Sequence, residues 1–561
     1  MQAHICEPVK QPWLYSCRKT SATVFNRLDI DHQVDHGGDY NVPKLAPMAT
    51  FFFFFLFPLL LILASFLFSA LNKRSGTRPL QKPSSQIASP PSLPILGHFH
   101  LLSSALPKSF QALAHQYGPL IRLKIGSSEF LVASSAALAR EILRTHDAIF
   151  ANKFVFSPTR YNIYKEAEFV NAPYGTYWKF MKRLCMTKLF AGPQLDRFSH
   201  IREEEIMKLL RSLWECFEDG LTCDLSTKLT AMTNNMICRM AMSKKCSSDD
   251  KQSAVIRETV KEIVVCGSKL SFAEVHGPLK HVDLFGRGKK IKMAMLRYDS
   301  MMNQIIKDYE HHGRTGEDEE QDVMDILLDT YRDPTAEIRL TMDQIKHFFL
   351  DILIAGVDTT SASIQWAMIE LLNRPEALTK LRDEIDSVVG TSRLVKESDI
   401  PNLPYLRGIV RETLRLHTSG PLIRRKSSQN SQIGGYDVKA GTNILINAYA
   451  LMHDPDVWEE PNEFRPERFL KEDRAGTELK KGKDMNYFPF GSGRRACIGE
   501  AHAENVMHTA IGALVQCFDW RMDVGEKSNI KMVTGYSGAV ANALMCSPVG
   551  RLNPMALCVG N

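Results

Sequence analysis

One cysteine lies where a thiolate could do chemistry. Cys497 stands near the end of a glycine- and arginine-rich run, FPFGSGRRACIGE, and the residues from Ile498 onward can form a helix. The unpaired N–H groups and the positive dipole end at a helix N-terminus favour the thiolate form of a cysteine there. Gly491 and Gly493 carry no Cβ, so the backbone can approach a flat ligand closely. The run therefore predicts a thiolate beside a bound ligand; a tight basic turn around a buried cysteine is the alternative.

A polar patch interrupts a long apolar segment upstream of this cysteine. Residues 341–372 have apolar side chains at helical spacing over most of their surface, and Thr341 with Gln344 forms a capping-box pattern. We therefore expect one long, buried helix. In its middle, Asp358 and Thr359 place a carboxyl and a hydroxyl group. Such hydroxyls can bond the carbonyl group four residues back and loosen the turn, which makes room for a ligand and for water. A satisfied polar cluster in the core is the alternative.

Helices and a few strands must position these groups. Apolar residues at three- and four-residue steps dominate residues 110–373, which predicts helices. The sequence thus indicates one large, mainly α domain of the α+β kind, with small β-sheets. The predicted strands are Leu120–Ile125, Phe130–Ala133, Gln432–Tyr436 and Ile444–Asn447.

The first part of the chain differs from the rest. Residues 51–71, FFFFFLFPLLLILASFLFSAL, carry no charge and are long enough to span a bilayer of about 30 Å. The basic residues that follow predict a single-pass anchor with the body in the cytosol, whereas a cleaved signal peptide is the alternative. Residues 1–47 are polar, and we expect a non-native or disordered extension upstream of a start at Met48. Residues 72–94 are predicted to be a linker with a proline-rich hinge, and residues 95–561 the catalytic domain.

Composition excludes several other classes of protein. The chain has 561 residues, of which 44% are hydrophobic and 24% charged, as in ordinary globular proteins. Its net charge of +6 is spread along the sequence, so no nucleic-acid footprint is present. With 12 cysteines in 561 residues the chain is not a disulfide scaffold, and the lack of a CxxC pair argues against a zinc ribbon or a thioredoxin-type redox site.

Two motifs resemble those of a known family. Residues 490–499, FGSGRRACIG, have every fixed position of the haem-ligand signature F-x-x-G-x-R-x-C-x-G, and residues 355–360, AGVDTT, resemble the motif A/G-G-x-D/E-T-T/S. The chain is therefore similar to the cytochrome P450 family, in its plant-type, membrane-anchored branch. The resemblance extends from about residue 90 to residue 554. It implies haem b as the cofactor, with Cys497 as the axial ligand of the iron, and a thiolate ligand favours cleavage of the O–O bond.

The resemblance also implies roles for individual residues. Asp358 and Thr359 would deliver the protons that cleavage of the O–O bond needs. Glu412 and Arg415, from an E-x-x-R motif, and Arg468, from a P-E-R-F segment, would form a buried network that holds the cysteine loop. The residues expected to contact the haem are Trp178, Lys182, Ala355, Gly356, Arg425, Phe490, Gly493, Arg495, Cys497 and Gly499.

Two departures from the family pattern concern charge. Lys182 stands where the W-x-x-x-R motif has arginine, so a point charge replaces a guanidinium fork. Arg424 occupies a position that is often apolar in plant relatives. If this strand alternates, Ile423 and Arg425 share the side that faces the haem and Arg424 points away. The alternative is an arginine in the pocket that recognises an acidic group of the substrate.

The function implied by the resemblance is oxygen insertion. We expect a monooxygenase of the endoplasmic reticulum membrane that uses O₂ and electrons from an NADPH-cytochrome reductase. Residues 172–185, 402–406 and 515–520 resemble a plant group that includes flavonoid and triterpenoid oxidases. A bulky lipophilic substrate is therefore expected, a triterpenoid or other terpenoid first and a flavonoid next. The alternatives are a haem-thiolate isomerase or dehydratase and a non-enzymatic haem-binding protein; the intact Asp358–Thr359 motif argues against both.

Overall fold

The structure, a computed structural model, describes residue 60 and most of the chain from residue 86 to residue 558. Within that range the residues not described are 95, 127, 156–160, 165–166, 191, 243–250, 269–282, 284–285, 313–321, 475–484 and 522–542. The chain divides into two compact units, Met1–Lys73 and Arg74–Asn561. The predicted extension 1–47, the anchor 51–71 except residue 60, and most of the linker 72–94 lie outside the described residues. The account below concerns the second unit.

Helices form most of this unit, as predicted. The two helices with the clearest apolar periodicity, around residues 202–213 and 298–310, are both present and bury their apolar sides. The helices are α1 (Leu106–Tyr117), α2 (Ala136–Arg140), α3 (Thr176–Cys185), α4 (Gly192–Arg197), α5 (Ser199–Glu218), α6 (Leu225–Met242), α7 (Lys251–Ser268), α8 (Arg287–His312), α9 (Val323–Arg332), α10 (Met342–Gly356), α11 (Asp358–Asn373), α12 (Pro375–Val388), α13 (Pro404–Leu416), α14 (Ala448–Met452), α15 (Glu467–Arg474) and α16 (Glu500–Cys517).

The predicted long helix is interrupted, so the expectation of one continuous helix over residues 341–372 is corrected. The capping box is present, with Thr341 Oγ1 accepting from the Gln344 N–H and Gln344 Oε1 accepting from the Thr341 N–H. Val357 separates α10 from α11. Its carbonyl group accepts a hydrogen bond of 3.2 Å from the Thr233 hydroxyl, so a side chain of α6 competes for a helix carbonyl here.

The interruption coincides with a change of hydrophobic core. The buried residues of α10 pack in one cluster with α3, α8 and α9, whereas those of α11 pack in a second cluster with α5, α13 and α16. Among the described residues, Met342–Asn373 is the one helical stretch that is apolar and long enough to span a membrane, and it is mostly buried. Its burial is that of a core helix.

Strands form three small sheets within the described residues. The largest has the order β1-β2-β7-β4, the second the order β3-β9-β8, and the third is the hairpin β5-β6. The strands are β1 (Leu120–Ile125), β2 (Ser128–Ala133), β3 (Cys223–Asp224), β4 (Leu422–Lys426), β5 (Ser431–Ile433), β6 (Tyr436–Val438), β7 (Asn443–Asn447), β8 (Phe518–Arg521) and β9 (Met545–Gly550).

Three of the four predicted strands are confirmed, and one is corrected. β1, β2 and β7 include the predicted strands of residues 120–125, 130–133 and 444–447. The fourth, residues 432–436, is not one strand but the turn of the β5–β6 hairpin and its flanks. Gly434 and Gly435 have φ angles of 57° and 77°, which glycine adopts readily, so the chain reverses there.

Candidate active site

The cysteine loop is closed by its own backbone. Cys497 lies between a short 3-10 turn, Gly493–Arg495, and α16, whose N-cap is Gly499. The Cys497 N–H donates to the Phe490 carbonyl at 2.9 Å, and this bond ties the two ends of the loop together. The sequence thus places the cysteine ahead of the helix N-terminus, as the motif predicts.

Gly493 stands where no side chain fits. Its φ of 76° is in the left-handed region, and a Cβ built there would lie 2.4 Å from the Leu143 carbonyl oxygen. The same Cβ would lie 2.8 Å from Oδ1 of Asp147. Oδ2 of Asp147 accepts from the backbone N–H and from Nη1 of Arg494, both at 2.9 Å. The loop is therefore fastened to the segment around residue 147, an anchor that the sequence analysis missed.

Burial, rather than the helix N-terminus, sets the pKa of the free thiol. Burial raises the pKa of Cys497, while the Gly499 N–H and the charges of Lys153 and Lys182 lower it. The Gly499 N–H thus favours the thiolate, as the position predicts, but burial has the larger effect on the free thiol. By surface area, however, Cys497 is exposed. The thiol is therefore surrounded by protein but still in contact with solvent, as a group that lines a cavity would be.

The interruption between α10 and α11 also has an accessible face. Ala355 and Thr359, one turn apart, are exposed although most of their neighbours in these core helices are buried. The Thr359 hydroxyl donates to the Ala355 carbonyl at 2.6 Å and not to Asp358. Gly356 lies within this same turn, where a Cβ would meet the flexible end of Ile237 at 2.9 Å. The accessible face therefore consists of small side chains and one hydroxyl.

Asp358 begins α11 and is half-buried. Burial raises the pKa of its carboxyl group, and the charge of Lys261 opposes this shift. The carboxyl therefore keeps its proton to a higher pH than an exposed aspartate does. The carbonyl of the next residue, Thr359, accepts from the hydroxyls of Ser363 at 3.0 Å and Ser419 at 3.4 Å. Hydroxyl groups thus surround the interruption.

Trp178 brings two of the predicted cations together. The Arg495 guanidinium lies 4.2 Å from the centre of its ring system, and the Lys182 ammonium lies 5.3 Å from the same centre. Lys182 Nζ also donates to the Arg494 carbonyl at 2.6 Å, so α3 is joined to the cysteine loop. The structure therefore places these three predicted residues beside the loop that carries Cys497.

Arg495 has spare hydrogen-bonding capacity in a buried site. Its Nε donates to the Ala151 carbonyl at 2.7 Å, and its Nη2 donates to the Ala172 carbonyl. Its Nη1 is buried and has no hydrogen-bond partner among the described residues. Burial, and then the charge of Arg425, lower the pKa of Arg495 to about 10. A buried cation in this situation calls for an anionic partner.

Arg424 and Arg425 point in opposite directions. Strand β4 pairs antiparallel with β7, so alternate residues face opposite sides. Arg425 Nη2 donates to the Ser492 carbonyl at 3.3 Å, on the side of the cysteine loop. Arg424 instead donates to the Phe154 carbonyl at 3.1 Å and to Asn171 Oδ1 at 3.3 Å. The interpretation that Arg424 points away from the cysteine loop agrees with this geometry.

The structure also brings together the three residues of the expected ionic network. Glu412 accepts from Nε and Nη2 of Arg415, each at 2.8 Å, and from Nε of Arg468 at 3.0 Å. Arg415 Nη1 donates to the carbonyls of Met452 and Pro461 at 2.7 and 2.8 Å. The network thus connects α13 to the end of α14, to the segment that precedes α15 and to α15 itself.

A sequence model described as Cytochrome P450 matches residues 87–542 of the chain. The chain belongs to the cytochrome P450 family. As a P450 of plant type it is 39% identical to Cytochrome P450 93A3 of Glycine max, over 88% of this chain and 97% of that protein. It is 39% identical to the 3,9-dihydroxypterocarpan 6A-monooxygenase of Glycine max, over 83% and 93%. To the beta-amyrin 24-hydroxylase of the same plant it is 38% identical, again over 83% and 93%.

Solved structures show the same fold. A zebra fish cytochrome P450 with abiraterone aligns with a TM-score of 0.67 at 25% identity, over 79% of this chain and 98% of that chain. Membership of the family makes the protein a P450 monooxygenase and implies a haem cofactor. The residues of the cysteine loop suit a haem. The loop contains the accessible thiol of Cys497, the buried Nη1 of Arg495, which has no hydrogen-bond partner among the described residues, and Gly493, which has no side chain.

Two contributors to the P450 site were not predicted. Asp147 accepts hydrogen bonds from Arg494, which is 347 residues away in the sequence. Lys153, whose charge lowers the pKa of Cys497, lies in a segment without a recognised motif. Spacing along the chain carries no signal for either, because both depend on contacts between distant segments.

Proposed function

We propose that this monooxygenase hydroxylates a bulky lipophilic plant metabolite, with a triterpenoid as the first substrate class and a flavonoid-type compound as the next. The observation that carries the haem-dependent function is the thiol of Cys497, which solvent reaches although protein surrounds it. The substrate class is supported by the relatives, since one is named for beta-amyrin and another for a pterocarpan. The two relatives are 38% and 39% identical to this chain, so sequence identity supports the two substrate classes equally.

In this proposal, haem b binds between the cysteine loop and the α10–α11 interruption, with Cys497 as the ligand of its iron. When bound, the haem supplies the iron at which O₂ is reduced. Lys182, Arg425 and Arg495 neutralise its propionates, with Trp178 holding two of these cations in place. The remaining contacts come from residues with little or no side chain or from the loop itself: Ala355, Gly356, Phe490, Gly493 and Gly499.

Asp358 and Thr359 are proposed to move protons. The raised pKa of Asp358 keeps its carboxyl protonated further toward neutral pH, so it can donate a proton and recover one from water. Thr359 presents its hydroxyl on the accessible face, held by the Ala355 carbonyl. The exposed Lys261 on α7 lies near enough to Asp358 to act on its charge, which supports a route toward the surface.

The electron donor is proposed to be an NADPH-cytochrome reductase that docks on the outer side of the cysteine loop. Arg494 lies there with 46% of its side chain exposed, but it is already paired with Asp147. Exposed Lys179 on α3 adds positive charge beside Arg494, since both cations lie over the Tyr174 ring. The predicted anchor, residues 51–71, would hold this body on the cytosolic side of the endoplasmic reticulum.

The first test is the reduced carbon-monoxide difference spectrum of membranes that contain the full chain. We expect the red-shifted band of thiolate-ligated haem, its loss in Cys497→Ala and its retention in Cys216→Ala, a half-buried cysteine remote in sequence from the loop. Folded, haem-loaded protein without this band would contradict the assignment of Cys497.

The second test concerns the substrate. β-Amyrin and 3,9-dihydroxypterocarpan are supplied with a plant reductase, NADPH and O₂, and the products are analysed by mass spectrometry. A product heavier by one oxygen atom that requires NADPH supports the proposal. A rearranged product formed without NADPH would instead support the isomerase alternative.

A further inference from the structure

Two cysteines lie opposite each other in the sheet β3-β9-β8. Strand β3 pairs antiparallel with β9, and in this register Cys223 is the partner of Cys546. The hydroxyl groups of Thr222 and Ser547 are 2.9 Å apart, which extends the same register by one pair. This flanking pair is 325 residues apart in the sequence, so only the pairing of the two strands brings the cysteines together.

The two thiols share the core face of the sheet. Cys223 and Cys546 are 4% and 1% exposed, and both pack in the hydrophobic cluster that contains the buried residues of α5 and α16. Thr222 is exposed, as expected for a side chain on the opposite face of the strand. Residues directly opposite each other have Cα atoms about 4.5–5.5 Å apart, within the range of about 4.4–6.8 Å that a disulfide spans.

The two sulfur atoms are already in contact. The Cys546 thiol forms a hydrogen bond with Cys223, and this bond is the largest cause that lowers the pKa of Cys223. Burial opposes the shift, and the charge of Lys228 adds to it. The Lys228 ammonium donates to the Ser212 hydroxyl at 3.2 Å, so it is held between α6 and α5. A lowered pKa increases the fraction of thiolate, the nucleophilic form of a cysteine.

Strand β3 gives a small oxidant access to this pair. The strand is two residues long and forms one edge of its sheet. Because so short an edge strand opens at low free energy, a small neutral molecule can reach the buried thiols. A third thiol, the half-buried Cys216 at the end of α5, lies near enough to Cys223 for their charges to interact. Cys216 is therefore the competing partner that a test must distinguish.

We propose that Cys223 and Cys546 form a reversible disulfide, a site of oxidative modification separate from the haem site. The oxidant is a peroxide. The Cys223 thiolate attacks one oxygen atom of hydrogen peroxide, the O–O bond breaks, and uptake of one proton gives a sulfenic acid and water. The Cys546 sulfur then attacks the sulfenic sulfur, which forms the S–S bond and releases a second water molecule. The two thiols lose two electrons, and the peroxide accepts them.

The disulfide would tie the segment between α5 and α6 to β9. Because this cross-link closes a long loop, it restricts the unfolded chain and should make the oxidised protein more resistant to unfolding. A dithiol reverses the reaction by thiol–disulfide exchange. Hydrogen peroxide is what O₂ becomes when two electrons reduce it without oxygen transfer to a substrate, so a monooxygenase can itself supply this oxidant.

The test uses purified holoenzyme of the full chain, treated with hydrogen peroxide and then denatured with iodoacetamide, which blocks the remaining thiols. Trypsin leaves Cys216 and Cys223 in one peptide, residues 212–228, so a protease that cleaves after glutamate is added to cut between them at Glu218. Mass spectrometry without reduction then detects the peptide joined to residues 532–551, which contain Cys546. We expect most chains to carry the link between Cys223 and Cys546, and dithiothreitol to remove it.

One cysteine in the same digest and two variants serve as controls. Cys185 is buried like Cys546 but lies in helix α3, so it should remain alkylated. Cys216→Ser should still form the link, whereas Cys546→Ser should not. Diamide, which oxidises thiols without peroxide, should form the same link in the wild type and raise its urea midpoint. The midpoint of Cys546→Ser should not change on diamide treatment.

The proposal is overturned if Cys223 and Cys546 both remain alkylated after peroxide and after diamide. It is also overturned if Cys216 rather than Cys223 is joined to Cys546, or if Cys185 is oxidised to the same extent as the pair. The wild-type digest is decisive even where a variant fails to fold. Because the digest reports on thiols remote in sequence from Cys497, none of these outcomes bears on the proposed haem ligand.

Discussion

Glu412 and Arg415 form a bidentate ion pair with both side chains fully buried. The two bonds, Nε to Oε2 and Nη2 to Oε1, each measure 2.8 Å, and neither side chain has accessible surface. The residues are one helical turn apart on α13, and Arg415 also stacks on Trp458 at 5.1 Å. A pair in complete burial is stable only while both partners and their hydrogen bonds are present.

Removal of Arg415 should therefore destabilise the protein strongly. Arg415→Met leaves the Glu412 carboxylate buried with fewer partners, and we expect a loss of about 3–5 kcal/mol in the free energy of unfolding. Arg465→Met is the control, because its exposed pair with Glu460 should be worth less than about 1 kcal/mol. Urea unfolding of both variants measures the difference. Equal losses of unfolding free energy in the two variants would contradict the prediction that the buried ion pair contributes more to stability than the exposed one.

A methyl group at position 493 should disrupt the cysteine loop. Gly493→Ala places a Cβ 2.4 Å from the Leu143 carbonyl and forces a left-handed φ on alanine. We expect most of the reduced carbon-monoxide band to be lost. Gly390→Ala is the matched control, since its φ is also positive, at 81°, but nothing lies within 4 Å of its added Cβ. A normal spectrum for Gly493→Ala would contradict the close approach.

Asp358→Asn should separate activity from stability. Burial raises the pKa of Asp358, so its carboxyl stabilises the fold at acidic pH and this contribution is lost as pH rises through the folded pKa. At pH 8 the asparagine variant should be at least as stable as the wild type. Its turnover should fall by about 100-fold, the effect of one general acid. Product formed per NADPH consumed and urea midpoints are compared with those of Asp358→Glu, which keeps the acid and should retain more activity.

His347 should give the fold a pH dependence near neutrality. Burial alone would lower its pKa, but the Asp351 carboxylate, 3.4 Å from Nδ1, raises it overall. A raised histidine pKa stabilises the fold below the unfolded value of about 6.5, and the contribution is lost as pH rises through the folded value. The urea midpoint of the wild type should fall across this window more steeply than that of His347→Gln. Parallel pH profiles would show that the pair contributes nothing.

Local patterns in the sequence were sufficient for much of this fold. Strand β1 spans the predicted residues, and the capping box of Thr341 and Gln344 is formed as expected. The loop around Cys497 also lies directly before its helix. Each of these features depends on residues a few positions apart, whose periodicity and capping chemistry act within a single turn or strand.

What lay beyond the sequence involves distant residues. The Val357 carbonyl accepts a hydrogen bond from Thr233, which is 124 residues away, and Arg494 is held by Asp147, which is 347 residues away. The raised pKa of Cys497 is likewise a consequence of burial, which no local pattern records. The sequence by itself determined the family motifs, the helix start at Thr341 and most strands, because these depend on short-range chemistry. Tertiary structure alone decided which charges meet, as for Asp147 and Arg494, because such pairs form only when packing brings together segments hundreds of residues apart.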